Sequence, residues 1–238
     1  MKSGNGLSRR AVVKNTLVAL AGADGAAEAV AAQKKPGETR GLFLLGDYCH
    51  NPAMRPANIS LGWSPDKIVE KRPEPDVFMT PAHETMIVKN VRRGMGLVAV
   101  HCAVWNPDSR QYLDLLGVEK PVMHGPVVSA RIFELNPEHP ITKGIQPFNI
   151  GIDEVFHAVM KPGQHTQLFR SSQEQPKRNA IGGWCREEGS GRVVALLPGH
   201  TTGPYGSRQF LDMMRRSAHW ALKREIPPLP ADVFTARI

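Results

Sequence analysis

Gly94-Met-Gly-Leu-Val-Ala-Val-His-Cys-Ala103 is the stretch of sequence that decides the fold. Four apolar residues, Leu97 to Val100, run between a glycine-rich entry and a polar His-Cys exit, which is typical of a buried parallel strand. In an open α/β sheet, ligands collect beyond the carboxyl ends of the central strands. We therefore interpret His101 as a base, a hydrogen-bond partner or a metal ligand. A structural histidine at a strand end is the alternative.

Length and composition predict one globular α/β domain with a tail. The chain has 238 residues, of which 41% are hydrophobic and 22% charged, so neither disorder nor a membrane-embedded body is indicated. The formal net charge is +8, but the basic residues are scattered and form no stripe interleaved with aromatics, which argues against nucleic-acid binding. No apolar run approaches the roughly 20 residues that a membrane span needs.

The first 33 residues differ from the rest of the chain. Ser8-Arg9-Arg10 precedes a short apolar run, as in a twin-arginine export signal, which predicts a periplasmic or other extracytoplasmic protein. A basic amphipathic helix or tail on a cytoplasmic protein is the alternative. The predicted organisation is a signal at residues 1–33, a linker at 34–40, the domain at 41–226 and a C-terminal tail at 227–238.

Two further apolar runs deliver histidines to strand ends. Gly41–Gly46 leads to His50, and Arg192–Leu197 leads to His200. If these strands are parallel to the one before His101, the three histidines share one rim of the sheet. Proline-rich residues 51–75 predict a loop with at most one short helix. Helices are expected at 81–93, 107–116 and 210–222, and further strands at 76–80, 127–135 and 180–184.

The chain has an odd number of cysteines. Cys49, Cys102 and Cys185 show no C-x-x-C spacing, so at least one thiol stays free or pairs between chains, which is compatible with a homo-oligomer.

Several short motifs together resemble the ThuA-like (trehalose utilisation) family. They are Gly94-x-Gly-Leu-Val-x-x-His101, His139-Pro-Ile-Thr-x-Gly144, Asp153-Glu154-x-Phe156, Trp184 ahead of Gly191-Arg-Val, Gly199-His200 and the terminal Trp220-Ala-Leu222. The family is similar in fold to class I glutamine amidotransferases. This resemblance implies a flavodoxin-like, mostly parallel sheet with helices on both faces.

The resemblance also bears on cysteine chemistry. In the amidotransferases a nucleophilic cysteine occupies the sharp turn after the central strand, whereas here His101 takes that turn and Cys102 follows one residue late. A shift of one residue at a tight turn re-aims the side chain, so glutaminase activity is disfavoured. A cysteine-dependent amidohydrolase remains the third hypothesis for this chain.

The first hypothesis rests on a polar rim, which is formed by His50, His101, Glu154 and His200. Imidazoles and a carboxylate suit a divalent ion such as zinc, with His50, His101 and His200 as ligands. They suit equally a metal-free site in which His101, Glu154 and His200 do acid/base work on a sugar. The sequence leaves both alternatives open.

The family's association with trehalose implies a sugar, a glycan or a keto-sugar derivative as the partner. Trp184 can stack on a pyranose ring while Asp153 and Arg192 hydrogen-bond its hydroxyls. Alternatively, Trp184 belongs to the core and Arg192 to the surface. The first hypothesis is therefore an exported protein that acts on a sugar, as a hydrolase or an isomerase if it is an enzyme. The second is a non-catalytic carbohydrate-binding module.

Overall fold

The computed structural model describes residues 43–45, 68–70, 80–104, 109–174 and 177–229. The helices are α1 (Pro81–Arg92), α2 (Arg110–Leu116), α3 (Thr202–Gly206) and α4 (Arg208–Ala221), with a 3-10 helix at His101–Val104. The strands are β1 (Phe43–Leu45), β2 (Ile68–Glu70), β3 (Gly96–Val100), β4 (Val118–His124), β5 (Val128–Phe133), β6 (Phe148–Asp153), β7 (Phe156–Met160), β8 (Thr166–Gln173), β9 (Arg178–Glu188) and β10 (Gly191–Leu196).

A six-stranded sheet in the order β3-β10-β9-β8-β5-β6 forms the centre of the described structure. Strands β3 and β10 are parallel, with Gly96 opposite Arg192 and Val100 opposite Leu196. The other neighbouring pairs of this sheet are antiparallel. Two small sheets accompany it, a parallel pair of β1 with β2 and an antiparallel pair of β4 with β7. The fold is therefore mixed α/β.

Strand β10 separates two apolar layers, because its side chains alternate between the faces of the sheet. Val193, Ala195 and Leu197 belong to a core that includes residues of α1 and α2. Val194 and Leu196 belong to a second core, which includes Phe210, Met213 and Met214 of α4. Helices thus cover both faces of the strand, as the sequence predicted. Among the described residues, no helix is both long enough and apolar enough to cross a bilayer.

Local sequence signals define the helix ends. Thr80 caps α1 by accepting a hydrogen bond from the His83 amide (3.3 Å), and Pro81 occupies the first turn, where its missing N–H costs nothing. Gly117 ends α2 with φ +75°, a conformation that glycine adopts without strain. Helix α4 runs from Arg208 to Ala221, close to the predicted bounds of 210–222, and buries Phe210, Met213 and Met214.

Two expectations about the architecture are wrong. The sheet is not mostly parallel, since only the β3–β10 pair of the described six-stranded sheet is parallel, and the flavodoxin-like assignment is not supported. The segment 51–75 is not all loop, because it contains β2. The sequence also missed strands β4, β6, β7 and β8. Strand β4 contains a proline, β6 contains a glycine and β8 has many polar residues. The strand predicted at 76–80 lies almost entirely outside the described residues.

The start of β10 is pressed against the end of α1. A Cβ atom added at Gly191 would lie 2.1 Å from the Val91 carbonyl oxygen and 2.6 Å from that of Met95. Both contacts are with backbone, which cannot move aside as a flexible side chain can. Only glycine allows this approach.

We expect Gly191→Ala to lower the free energy of unfolding by about 1–3 kcal/mol, because the added methyl group forces α1 and β10 apart. Gly206→Ala is the matched control, since a Cβ there meets nothing within 4 Å, and its effect should stay within about 0.5 kcal/mol. Urea unfolding followed by circular dichroism measures both. Equal stabilities of the two variants would contradict the packing argument.

Candidate functional site

His101 lies directly after β3 and begins the 3-10 helix. Its φ of +49° is in the left-handed region, which a residue with a side chain seldom occupies. The ring is buried, and its Nδ1 lies 2.9 Å from the Leu197 carbonyl oxygen. Because a carbonyl only accepts, Nδ1 carries the proton and donates it. When the ring is neutral, Nε2 therefore presents its lone pair to the site.

Glu154 and His200 complete a cluster with His101. The Oε2 atom of Glu154 lies 3.0 Å from Nδ1 of His200 and 3.8 Å from Nε2 of His101. Glu154 is buried, and about a quarter of the His200 side chain is exposed. The two imidazole rings meet edge to face with centroids 5.3 Å apart, and Phe156 packs on His101 with a centroid distance of 4.3 Å. The structure thus brings together the three predicted catalytic residues.

Asp153 ends β6 beneath the loop that carries His200. Its carboxylate accepts hydrogen bonds from the amides of Gly199 (2.9 Å), His200 (2.8 Å) and Thr201 (3.1 Å). Burial raises the pKa of the Asp153 carboxyl to about 6, while these backbone donors favour the ionised form and act in the opposite direction. Asp153 is 0% exposed, so it offers no surface to a sugar, contrary to the substrate-binding role expected from the sequence.

The cluster has the composition and dimensions of a metal site. One ligand atom from each of His101, Glu154 and His200 can be chosen so that all three lie within 4.8 Å of one another. Three ligands of a tetrahedral zinc are separated by about 3.4 Å, given metal–ligand distances of about 2.1 Å, so small side-chain rotations would close the cluster around an ion. Donation from Nδ1 of His101 to a carbonyl is the outer contact that metal-bound histidines commonly make.

The other predicted site residues lie elsewhere. Trp184 is 0% exposed and donates from Nε1 to the Leu116 carbonyl (2.8 Å), so it is a core residue, the alternative that the sequence left open. Arg192 is the second residue of β10, whereas His200 follows the end of that strand. The Arg192 side chain contacts Glu187 (3.0 Å) and stacks on Trp220. Neither residue joins the cluster. His50 lies outside the described residues.

Cys102, the cysteine of the third hypothesis, lies in the 3-10 helix after β3 and is partly exposed. Cys185 is a described cysteine that contacts a histidine. Cys185 is buried, and Sγ lies 3.3 Å from Nε2 of His139. The other ring nitrogen of His139, Nδ1, accepts from the Ile141 amide (3.3 Å), so Nε2 carries the proton and cannot take one from the thiol. Burial raises the pKa of Cys185 to about 12 and, together with Arg192, lowers the pKa of His139. This pair is therefore not a nucleophile with its base.

Sequence reasoning missed two contributors to the site. Phe156 covers one side of the His101 ring, and the Asp153-Glu154-x-Phe156 motif was the signal that could have placed it there. Gly199 has φ +141°, and a Cβ at this position would lie 2.7 Å from the Tyr205 hydroxyl oxygen and 3.2 Å from Cβ of His101. A glycine immediately before a candidate site histidine was the signal for this close approach.

The fold and the cluster define a class of protein. It is a mixed α/β domain in which two histidines and a glutamate, distant in the chain, lie close together in space. Residues 66–221 match the sequence profile of the ThuA family, whose description is trehalose utilisation. Since this match spans more than half of the 238 residues, the chain belongs to the ThuA family. The family connects it with carbohydrate utilisation in general terms.

Solved structures agree with this assignment at the level of the fold. A ThuA-like protein from Parabacteroides merdae is similar with a TM-score of 0.54 and 16% identity, over 82% of this chain and 83% of that one. A ThuA-like protein from Bacteroides uniformis has a TM-score of 0.51 and 16% identity, over 65% of this chain and 67% of that one. No protein with curated function matches the chain.

We expect Cys185 to resist alkylation in the folded protein. Its raised pKa and its burial leave little accessible thiolate at pH 8, so iodoacetamide should modify it at least about tenfold more slowly than the partly exposed Cys102. Peptide mass spectrometry over a time course measures both rates. In urea the difference should disappear, and equal rates without urea would contradict the burial and the raised pKa of Cys185.

Gly199→Ala should destabilise the protein and displace His200, because the methyl group meets the Tyr205 hydroxyl in a backbone conformation that alanine rarely adopts. We expect a loss of about 2–4 kcal/mol of unfolding free energy, combining backbone strain with overpacking. Gly163→Ala is the control, since its φ is +66° but nothing lies within 4 Å, and it should lose only about 1–2 kcal/mol. A larger loss at Gly163 would contradict the steric argument.

Proposed function

We propose that this ThuA-family protein acts on a sugar or a keto-sugar derivative at the His101–Glu154–His200 cluster, and that the three side chains hold a divalent metal ion. The observation that carries the proposal is their convergence. Residues 101, 154 and 200 are far apart in the chain, yet Glu154 lies 3.8 Å from one imidazole and 3.0 Å from the other. A buried carboxylate in contact with two imidazoles is typical of a functional site.

The geometry supports metal binding through the tautomer of His101. Its Nδ1 is committed to the Leu197 carbonyl, which orients Nε2 towards Glu154. Two imidazole nitrogens and one carboxylate form the ligand set of many catalytic zinc sites, in which a further position accepts water or substrate. A hydroxyl or carbonyl oxygen of a sugar is a suitable ligand for that position. When bound, the ion would supply a Lewis acid that polarises this oxygen.

In the metal-free alternative, His200 is suited to proton transfer. Its side chain is partly exposed, while Glu154 beside it is buried. An imidazole exchanges protons near neutral pH, and a neighbouring carboxylate orients it and favours its charged form. Without a metal ion, His200 is thus the residue of the cluster through which a proton could reach solvent. This role belongs equally to a hydrolase and to an isomerase.

Export remains part of the proposal. The twin-arginine motif at Ser8-Arg9-Arg10 supports a periplasmic location, where a protein of carbohydrate utilisation would meet its substrate during uptake. These residues lie outside the described part of the chain.

Calorimetric titration of the purified protein with Zn²⁺ and Co²⁺ tests the metal site. We expect one ion per chain, an affinity that falls as pH decreases below about 6.5 because the imidazoles must be neutral, and a loss of at least about 100-fold in His101→Ala, which removes one of three ligands. His219→Ala is the control. His219 belongs to the last turn of α4, whose Ala221 lies beside Gly96 at the opposite end of β3 from His101.

Titration of the metal-loaded protein with trehalose and with a keto-sugar tests the substrate class. Sugar binding that His101→Ala abolishes, followed by conversion detected by NMR, is the expected result. Binding without conversion would favour the carbohydrate-binding module. Equal metal affinity in the wild type and His101→Ala would refute the metal site, and sugar binding unaffected by His101→Ala would refute the catalytic role of this residue.

A further inference from the structure

We propose that Asp153 is the positioning residue of the site, which holds the His200 loop so that the imidazole of His200 faces Glu154. The inference rests on the proposed function, because the position of His200 matters through what the cluster binds. It replaces the direct contact with substrate that the sequence suggested for Asp153.

The loop carrying His200 directs three consecutive amides at one carboxylate. Oδ2 of Asp153 accepts from Gly199, and Oδ1 accepts from both His200 and Thr201, at 2.8–3.1 Å. Hydrogen bonds to an ionised acceptor are stronger and more directional than those between neutral groups. The carboxylate is 0% exposed, so water cannot replace it as the acceptor without a rearrangement of the loop.

The backbone of this loop is also held by two side-chain hydroxyls. The Tyr205 hydroxyl donates to the Gly199 carbonyl (3.3 Å). The Thr201 hydroxyl donates to the Ile152 carbonyl, so the loop is attached to β6 next to Asp153 as well. Asp153 accepts three of the hydrogen bonds that hold the loop, more than either hydroxyl makes.

Two adjacent residues, Asp153 and Glu154, therefore hold the backbone amide and the imidazole of His200, respectively. Glu154 contacts the imidazole at Nδ1 (3.0 Å), and Asp153 accepts from the amide of the same residue (2.8 Å). Since Asp153 is the last residue of β6, the strand sets the distance between the carboxylate and the imidazole of the cluster. Side chains behind metal ligands and catalytic groups act in this way, by fixing orientation.

Asp153→Asn tests the assignment with almost no change in volume. An asparagine has one acceptor oxygen, so its amide group would face an N–H of the loop, donor against donor. Asp114→Asn removes the same charge from a side chain that is 56% exposed and pairs with Lys161, and it controls for the loss of one negative charge. Both variants are compared with the wild type at pH 8.

Without added metal, we expect amide hydrogen exchange at Gly199, His200 and Thr201 to accelerate at least tenfold in Asp153→Asn, and the imidazole resonances of His200 to shift. With Co²⁺, we expect the affinity to fall about 10–100-fold, the loss typical of residues behind metal ligands, and the visible spectrum of the bound ion to change. Thermal unfolding should remain cooperative. Asp114→Asn should leave exchange, affinity and spectrum unchanged.

The hydrogen-exchange and imidazole measurements do not need a metal, so they test the role of Asp153 independently of the metal site. If the wild type binds no Co²⁺, that result refutes the metal site and leaves this test of Asp153 in place. Unchanged exchange, resonances and spectrum in a less stable Asp153→Asn protein would make Asp153 merely structural. If Asp153→Asn does not fold, Asp153→Ser, which keeps one small acceptor, is measured in its place. Loss of the fold in both would assign Asp153 to the core and overturn the proposal.

Discussion

The parallel pairing of β3 with β10 is the constraint on which the site depends. Val100 lies opposite Leu196, so both strands end at the same edge and the following residues become neighbours. The hydrogen bond from His101 to the Leu197 carbonyl (2.9 Å) closes this junction across 96 residues of chain. A register shift of one residue would turn every side chain of β10 to the opposite face of the sheet. Gly191 opposes such a shift, because only a glycine fits against the carbonyl oxygens of Val91 and Met95.

The sequence predicted the elements whose signals are local and strong. The apolar runs of β3 and β10, the capped helix α1 and the amphipathic helix α4 are present close to their expected bounds. The antiparallel strands β5 to β9 join through contacts that no short window of sequence contains, and β4 includes Pro121, which argues against a strand. The mostly parallel sheet was expected from the family resemblance. Strand pairing is a tertiary property, and propensity alone does not specify it.

The site, too, was predicted where the signals are local and missed where they depend on tertiary contacts. His101 and His200 were predicted because each follows a strand, and the ends of parallel strands share an edge. Glu154 was predicted because it lies in an acidic motif. Arg192 could have been excluded from the sequence, since it precedes Leu197 by five residues of strand, roughly 17 Å. Trp184 could not, because a buried and a ligand-stacking tryptophan carry the same local signal. The role of Asp153 depends on a loop more than 40 residues away, and only the fold reveals it.

The two ends of β10 have different structural roles, and this difference explains how the site accommodates backbone strain. At the starting end, Arg192 stacks on Trp220 (4.6 Å) and donates to its carbonyl (3.1 Å), which satisfies the end of α4, while Gly191 packs directly on α1. At the other end, His101 has φ +49°, a conformation that costs a residue with a side chain about 1–3 kcal/mol. The tight packing at the starting end fixes the strand, so the adjoining backbone of His101 is held in a geometry it would not adopt alone.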